Sequence, residues 1–85
     1  MAQVVIYTKP GCPYCIRDLS LLERKGAEVQ DIVASNDPEK KAEMIQRSGG
    51  RRTFPQIFIG ETHVGGSDEL HALDARGELD GLLAA

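Results

Sequence analysis

The feature that most constrains this chain is a pair of cysteines that lies between an apolar run and a run with helical periodicity. Cys12 and Cys15 are the only cysteines among the 85 residues, and Pro13 follows the first of them. Proline suits the first position of a helix, where the missing N–H costs nothing. The apolar run at 4–7 and the Pro-Gly turn at 10–11 therefore predict a strand, a turn and a helix, with Cys12 at the N-cap and Cys15 in the first turn.

The position at the start of a helix predicts which sulfur reacts. Unpaired N–H groups and roughly half a positive charge at a helix N-terminus favour a thiolate at Cys12, and Lys9 adds to the same field. Cys15 is expected to be more shielded, and it is placed to attack a mixed disulfide formed on Cys12 and release the partner. The sequence predicts a reactive dithiol with Cys12 as nucleophile and Cys15 as resolving thiol.

Three other uses of such a pair are less well supported. A structural disulfide across so short a loop would restrain the unfolded chain little. A zinc site would need two more ligands, and the spacing of His63 and His71 falls outside the usual range. Covalent haem attachment requires His directly after the second cysteine, where Ile16 stands. No metal site is expected, and both histidines are expected to be surface residues without a role.

Composition limits the class of protein. The chain is 41% hydrophobic and 27% charged with a net charge of −3, which is typical of one globular domain, here residues 1–85, and argues against nucleic-acid binding. The sequence lacks a signal-peptide pattern and any run near the roughly eighteen apolar residues of a membrane span. A cytoplasmic protein without membrane contact is expected, and there a cysteine pair is more often catalytic or metal-binding than structural.

The rest of the chain predicts an α/β layered domain. Two strands that bracket the first helix predict a parallel, right-handed crossover, and two later strands are close enough to form an antiparallel hairpin. Ile16 is expected on the apolar stripe of the first helix, and Ala42, Met44 and Ile45 on that of the second. Ser67 is the candidate N-cap of the third. The predicted strands and helices lie at 4–7, 13–25, 27–33, 38–47, 56–59, 62–64, 67–74 and 78–83.

Three motifs together carry a resemblance to a known family. They are Cys12-Pro13-Tyr14-Cys15 after Lys9, Thr53-Phe54-Pro55 before a strand, and Gly65-Gly66-Ser67-Asp68 at the start of a helix. In these motifs and their spacing, over nearly all its length, the chain resembles the dithiol glutaredoxins. The resemblance implies a thioredoxin-like fold, a four-stranded mixed sheet flanked by helices in the order β-α-β-α-β-β-α. It also implies a monomeric, glutathione-dependent thiol-disulfide oxidoreductase that reduces disulfide-bearing or glutathionylated proteins.

The resemblance further implies a groove for glutathione beside the cysteines. A cis bond before Pro55 would leave the Phe54 backbone to pair with the extended tripeptide. The helix N-terminus after the glycine pair would hold the γ-glutamyl end, with Asp68 facing its ammonium group. Lys9 is the first candidate for binding the glycyl carboxylate, ahead of Arg51 and Arg52. The residues expected to bind glutathione are Lys9, Tyr14, Thr53, Phe54, Pro55, Gly66, Ser67 and Asp68.

Two alternatives stay open. A redoxin of similar fold that is reduced by thioredoxin reductase carries a Trp-containing motif near its C-terminus, and this chain has no Trp. An iron-sulfur carrier would ligate a [2Fe-2S] cluster through Cys12 of two subunits and two glutathiones. Pro13 and Cys15 disfavour that use because they stiffen the loop and offer an internal disulfide instead.

Overall fold

The computed structural model describes residues 2–85, which form a sheet with helices packed on both of its faces. The predicted order of elements is confirmed, including a short last helix. The elements are β1 (Val4–Thr8), α1 (Pro13–Arg24), β2 (Val29–Val33), α2 (Pro38–Arg47), β3 (Gln56–Ile59), β4 (Thr62–Gly65), α3 (Ser67–Ala75) and α4 (Leu79–Ala84).

The sheet is mixed, with the strand order β2-β1-β3-β4. β1 pairs in parallel with β2, which confirms the predicted crossover through α1. β3 is antiparallel to both β1 and β4, so the predicted hairpin is also present. Gly11, with a positive φ of 66°, turns the chain from β1 towards α1. The dithiol motif therefore lies at the C-terminal end of a central strand, where α/β sheets commonly bind ligands.

Side chains of β1 point alternately to the two faces of the sheet and so contribute to a hydrophobic cluster on each face. Val4 and Ile6 pack in a cluster with buried residues of α1, α3 and α4, whereas Val5 and Tyr7 pack in a second cluster with Met44 of α2. Successive residues of a strand point to opposite faces, so one fully buried strand supports both helical layers. This arrangement fixes the strand that ends at the dithiol motif.

Two expected core positions are wrong, and both errors concern the rotation of a helix about its axis. Ile16 is 63% exposed, and Ala42 is also exposed, although Met44 is buried as predicted. Cys15 faces inward, and the next inward positions in a helix lie three or four residues on, which brings Asp18 to the core in place of Ile16. Within residues 2–85, no helix is long and apolar enough to cross a membrane.

Candidate active site

The two cysteines lie at the start of α1 as the sequence predicts. Cys12 is the N-cap, with extended backbone angles, and its Sγ accepts a hydrogen bond of 3.2 Å from the backbone N–H of Cys15. Pro13 occupies the first helical position. Cys12 thus takes the acceptor role that Ser, Thr, Asp or Asn has at most helix starts. Both cysteines are free thiols in the structure.

Exposure does not distinguish the two sulfurs. Cys12 and Cys15 are each 2% exposed, so the expectation that Cys15 is the more shielded of the two is wrong. Burial raises the pKa of the Cys15 thiol to about 12, and its hydrogen bond with Cys12 adds to the rise, whereas the backbone N–H of Lys9 opposes it. Cys15 is therefore held as a neutral thiol at physiological pH.

A groove of about 310 Å³ lies next to the dithiol motif, whose Tyr14 lines it, although neither cysteine does. All the residues expected to bind glutathione line it except the cation, because the exposed side chain of Lys9 is not part of its wall. Arg51 supplies a guanidinium to the wall instead, and Arg52 does not line it. The lining residues are Tyr14, Arg51, Thr53, Phe54, Pro55, Gly66, Ser67, Asp68 and Glu69.

One wall of the groove is the segment before β3. The peptide bond between Phe54 and Pro55 is cis, as the resemblance implies. The buried amide of Gln56 donates to both the carbonyl and the hydroxyl oxygen of Thr53 at 3.1 Å. Its oxygen lies 2.8 Å from Nε2 of His63, whose ring stacks on Phe58 with 4.8 Å between centroids. These bonds fix the conformation of the segment that carries Thr53.

His63 is a half-buried residue, so the expectation that it lies on the surface is wrong. Burial lowers its pKa, and the charge of Arg51 lowers it further. The sequence did not reveal this, because the stacking on Phe58 depends on the pairing of β3 with β4.

A second part of the groove wall is the N-terminus of α3. The N-cap is Gly66 rather than the expected Ser67, and a Glu69 oxygen accepts hydrogen bonds from the Gly66 N–H at 2.9 Å and from Arg51 at 2.8 Å. These two donors lower the pKa of Glu69. Sequence reasoning missed Glu69, although glutamate at the third helical position is the pattern of a capping box. A Cβ on Gly66 would lie 3.4 Å from the Pro55 carbonyl oxygen, an ordinary van der Waals contact, so the space at this position does not require glycine.

Ser67 is the first residue of α3 rather than its N-cap, and its hydroxyl is bonded to neighbouring side chains. It donates to Oδ1 of Asp18 at 2.9 Å and accepts from Nη2 of Arg17 at 2.9 Å. Nε2 of His71 lies 2.8 Å from the same Oδ1, so His71 is also not a free surface residue. Asp18 is completely buried. Sequence reasoning missed this cluster because its members lie on two helices far apart in the chain.

The fold and the dithiol site define a thiol-disulfide oxidoreductase of thioredoxin-like architecture. The glutaredoxin family model matches residues 4–64. The chain is 55% identical to a glutaredoxin of Pseudomonas aeruginosa over 85 residues, all of both chains. It is also 55% identical to glutaredoxin 3 of Escherichia coli K12 over 83 residues, 98% of this chain and 99% of that one. The chain therefore belongs to the glutaredoxin family and resembles bacterial glutaredoxin 3.

Solved structures agree with this assignment. The solution structure of a glutaredoxin from Brucella melitensis has a TM-score of 0.83 and 63% identity, and the match covers 98% of this chain and 89% of that one. A buckwheat glutaredoxin-glutathione complex has a TM-score of 0.85 and 31% identity, with 98% and 77% covered. The thioredoxin-like fold is confirmed. As a glutaredoxin, the chain is a glutathione-dependent thiol-disulfide oxidoreductase.

Proposed function

We propose that Cys12 is the nucleophile and Cys15 the resolving thiol of this glutathione-dependent activity. The observation that carries the assignment is the difference between two equally buried sulfurs. Cys12 Sγ accepts an N–H hydrogen bond at the helix start, whereas burial raises the pKa of Cys15 to about 12. The thiolate is the nucleophile in disulfide exchange, so the sulfur held as a thiol acts second.

The reaction proceeds by two exchanges at Cys12. In the first, the Cys12 thiolate attacks the glutathione sulfur of a glutathionylated protein, and the protein thiolate leaves. In the second, the thiolate of a further glutathione attacks the mixed disulfide and regenerates Cys12, with oxidised glutathione as product. On a protein disulfide, Cys15 attacks instead, which yields the Cys12–Cys15 disulfide and releases the reduced protein.

We propose that glutathione binds in the groove beside Cys12. The lining contains groups of the right chemistry: peptide groups around Phe54 for the tripeptide backbone, and the amide donors at the start of α3 for the γ-glutamyl carboxylate. Asp68, exposed at that helix start, is suited to its ammonium group. Tyr14, exposed at 57%, offers an apolar ring on the other side. Support for glutathione in this role also comes from the buckwheat complex.

We propose Lys9 as the cation that binds the glycyl carboxylate, with Arg51 as the second candidate. Lys9 adjoins the dithiol turn and its side chain is exposed. Arg51 lines the groove, but its Nη1 is already bonded to Glu69. An ion pair that must be broken weakens the net gain from a new carboxylate.

The two cysteine roles are tested by replacing each sulfur separately. Cys12→Ser should abolish all turnover. Cys15→Ser should retain deglutathionylation, because that route needs one thiol, and should lose reduction of protein disulfides. A glutathione reductase-coupled assay with a glutathionylated peptide and a disulfide substrate measures both. Loss of deglutathionylation in Cys15→Ser alone would show that the nucleophile is wrongly assigned.

We further propose that the protein acts as a cytoplasmic monomer whose residues 1–85 form a single domain. One sheet supports both core clusters, which favours a single domain. Its protein substrates are proposed to be disulfide-bearing and glutathionylated proteins. Sedimentation equilibrium of the reduced protein tests the monomer, because a dimer would sediment at twice the 9.3 kDa mass.

A further inference from the structure

A buried carboxylate near the two sulfurs has no role in the function proposed above. Asp18 is 0% exposed, and its Oδ1 accepts the hydrogen bond from Ser67 and lies within bonding distance of His71. Its Oδ2 is also buried and has no hydrogen-bond partner among residues 2–85. A buried polar atom without a partner carries a desolvation penalty of about 1–3 kcal/mol, and more for charged groups. Such an atom requires an explanation.

Asp18 lies beside the thiol that must lose a proton. Cys15 and Asp18 are three residues apart on α1, so their side chains share one face of the helix, and both are buried. The charge of Asp18 contributes to the raised pKa of Cys15. Because Cys15 is only 2% exposed, water has little access to its proton. An acceptor inside the protein would remove that obstacle.

We propose that Asp18 accepts the proton of Cys15 during resolution and that His71 connects Asp18 to solvent. The inference rests on the proposed role of Cys15 as the resolving thiol. Oδ2 is the free acceptor, and the side chain of His71, 34% exposed, lies 2.8 Å from Oδ1. Asp18 acts on the sulfur of Cys15, and His71 acts through Asp18.

The step balances without any further reactant. The Cys15 sulfur forms a bond to the Cys12 sulfur while the bond between Cys12 and the substrate sulfur breaks. The substrate leaves as a thiolate with the electron pair of that bond. The Cys15 proton moves to Asp18 and then through His71 to water, from which the leaving thiolate can be reprotonated.

The groups around the carboxylate leave this route open. The guanidinium of Arg17 bonds to the Ser67 hydroxyl rather than to Asp18. The ion pair of Lys25 with Asp74 joins α1 and α3 two turns further along α1. On its own helix Asp18 has Cys15 and Arg17 nearby, and His71 faces it from α3, the helix packed against α1.

Asp18→Asn separates proton transfer from a purely electrostatic effect, because the two predict opposite results. Asparagine keeps the shape and can accept from Ser67, but it carries no charge and is not a base. If Asp18 acted only through its charge, its removal would lower the pKa of Cys15 and speed resolution. If Asp18 accepts the proton, resolution slows.

The experiment measures resolution directly in the full chain. Reduced protein is mixed with a disulfide-bearing peptide, quenched in acid at timed intervals, and the Cys12 mixed disulfide and the Cys12–Cys15 disulfide are quantified by mass spectrometry. We expect Asp18→Asn to slow resolution by about 10²-fold at pH 7, the lower range for loss of a general base. The deficit should shrink as pH rises and hydroxide takes over. Resolution as fast as in the wild type, or faster, would overturn the proposal.

Two controls keep the result interpretable. In the Cys15→Ser background, deglutathionylation with and without Asp18→Asn measures any effect of Asp18 on the groove through Ser67, and the loss in resolution must exceed it. If Cys15→Ser alone has no deglutathionylation activity, the result refutes the proposed roles of the cysteines and does not bear on the role of Asp18 as proton acceptor. His71→Gln, at a half-buried position, should also slow resolution even if Asp18→Asn does not fold. A wild-type rate in His71→Gln would refute the connection to solvent.

Discussion

The raised pKa of Cys15 makes a quantitative prediction about its reactivity. A pKa of about 12 lies well above the ordinary value of 9.0. At pH 7 the thiolate fraction is therefore about 10⁻⁵ rather than about 10⁻², a difference of roughly a thousandfold. Alkylating agents react with the thiolate, so the rate of Cys15 alkylation should fall in proportion.

Cys12→Ser exposes this difference because it leaves Cys15 as the only thiol. Serine is a good N-cap, so α1 should still begin at the same residue. The substitution removes the part of the rise in pKa that Cys12 causes, but burial, the largest cause, remains. We therefore expect native Cys12→Ser to react about a hundredfold more slowly at pH 7 than the same chain unfolded in guanidinium, where Cys15 regains the pKa of an ordinary thiol.

The assay is alkylation by iodoacetamide from pH 7 to 10, followed by mass spectrometry. Above pH 9.5 the native rate should still rise steeply with pH, whereas the rate of the unfolded chain levels off. Cys15→Ser is the matched control, because its remaining Cys12 is equally buried at 2%. If both variants react equally slowly, access of the reagent explains the result and the reasoning from ionisation is refuted.

Three further predictions concern residues around the groove. Gly65→Ala should lower the free energy of unfolding, measured by chemical denaturation, by about 1–3 kcal/mol, because φ is +114° and a Cβ would overlap Glu69. The control is Gly81→Ala, in open space within α4, which should raise the free energy of unfolding by about 0.5–1 kcal/mol. Because the pKa of His63 is lowered in the folded protein, the contribution of its neutral ring to stability is complete above pH 6.5 and declines as pH falls through the pKa of the folded state. Thermal melts from pH 5 to 8 should therefore show a melting temperature that depends less on pH in His63→Gln than in the wild type. Lys9→Gln should raise the KM for glutathione about tenfold, as expected for loss of one charge-assisted bond. Arg52→Gln, which neither lines the groove nor adjoins the dithiol turn, should leave the KM unchanged.

Local signals predicted the framework of the fold. Pro13 and Pro38 mark the first positions of α1 and α2, and Asp37 is the N-cap of α2, where its side chain accepts from two backbone N–H groups. These features act over a few residues, so the sequence displays them directly. The walls of the groove were predictable for another reason, since the resemblance supplied motifs whose contacts lie far apart in the chain.

Contacts between distant side chains set the limit of sequence reasoning. An aspartate within an apolar helix normally indicates a solvent-facing position, yet Asp18 is buried because Ser67 and His71 provide hydrogen bonds from α3. The residues near position 18 in the sequence do not indicate that these hydrogen-bonding groups, some fifty residues away, lie next to it. The same holds for the depth of Cys12 in the protein, because helix periodicity gives the direction of a side chain but not what covers it.

Because the two sulfurs are equally buried, the roles proposed for them rest on position in the helix rather than on access to solvent. Burial removes water from both, so each sulfur depends on the donors that the protein supplies. Cys12, before the first turn, receives the N–H of Cys15. Cys15 lies within the first turn, where burial and its hydrogen bond with Cys12 raise its pKa and favour the thiol, and the charge of Asp18 adds to the effect. A helix that began at another residue would move the N-cap position away from Cys12, and the place of the two cysteines in the helix therefore matters as much as their presence.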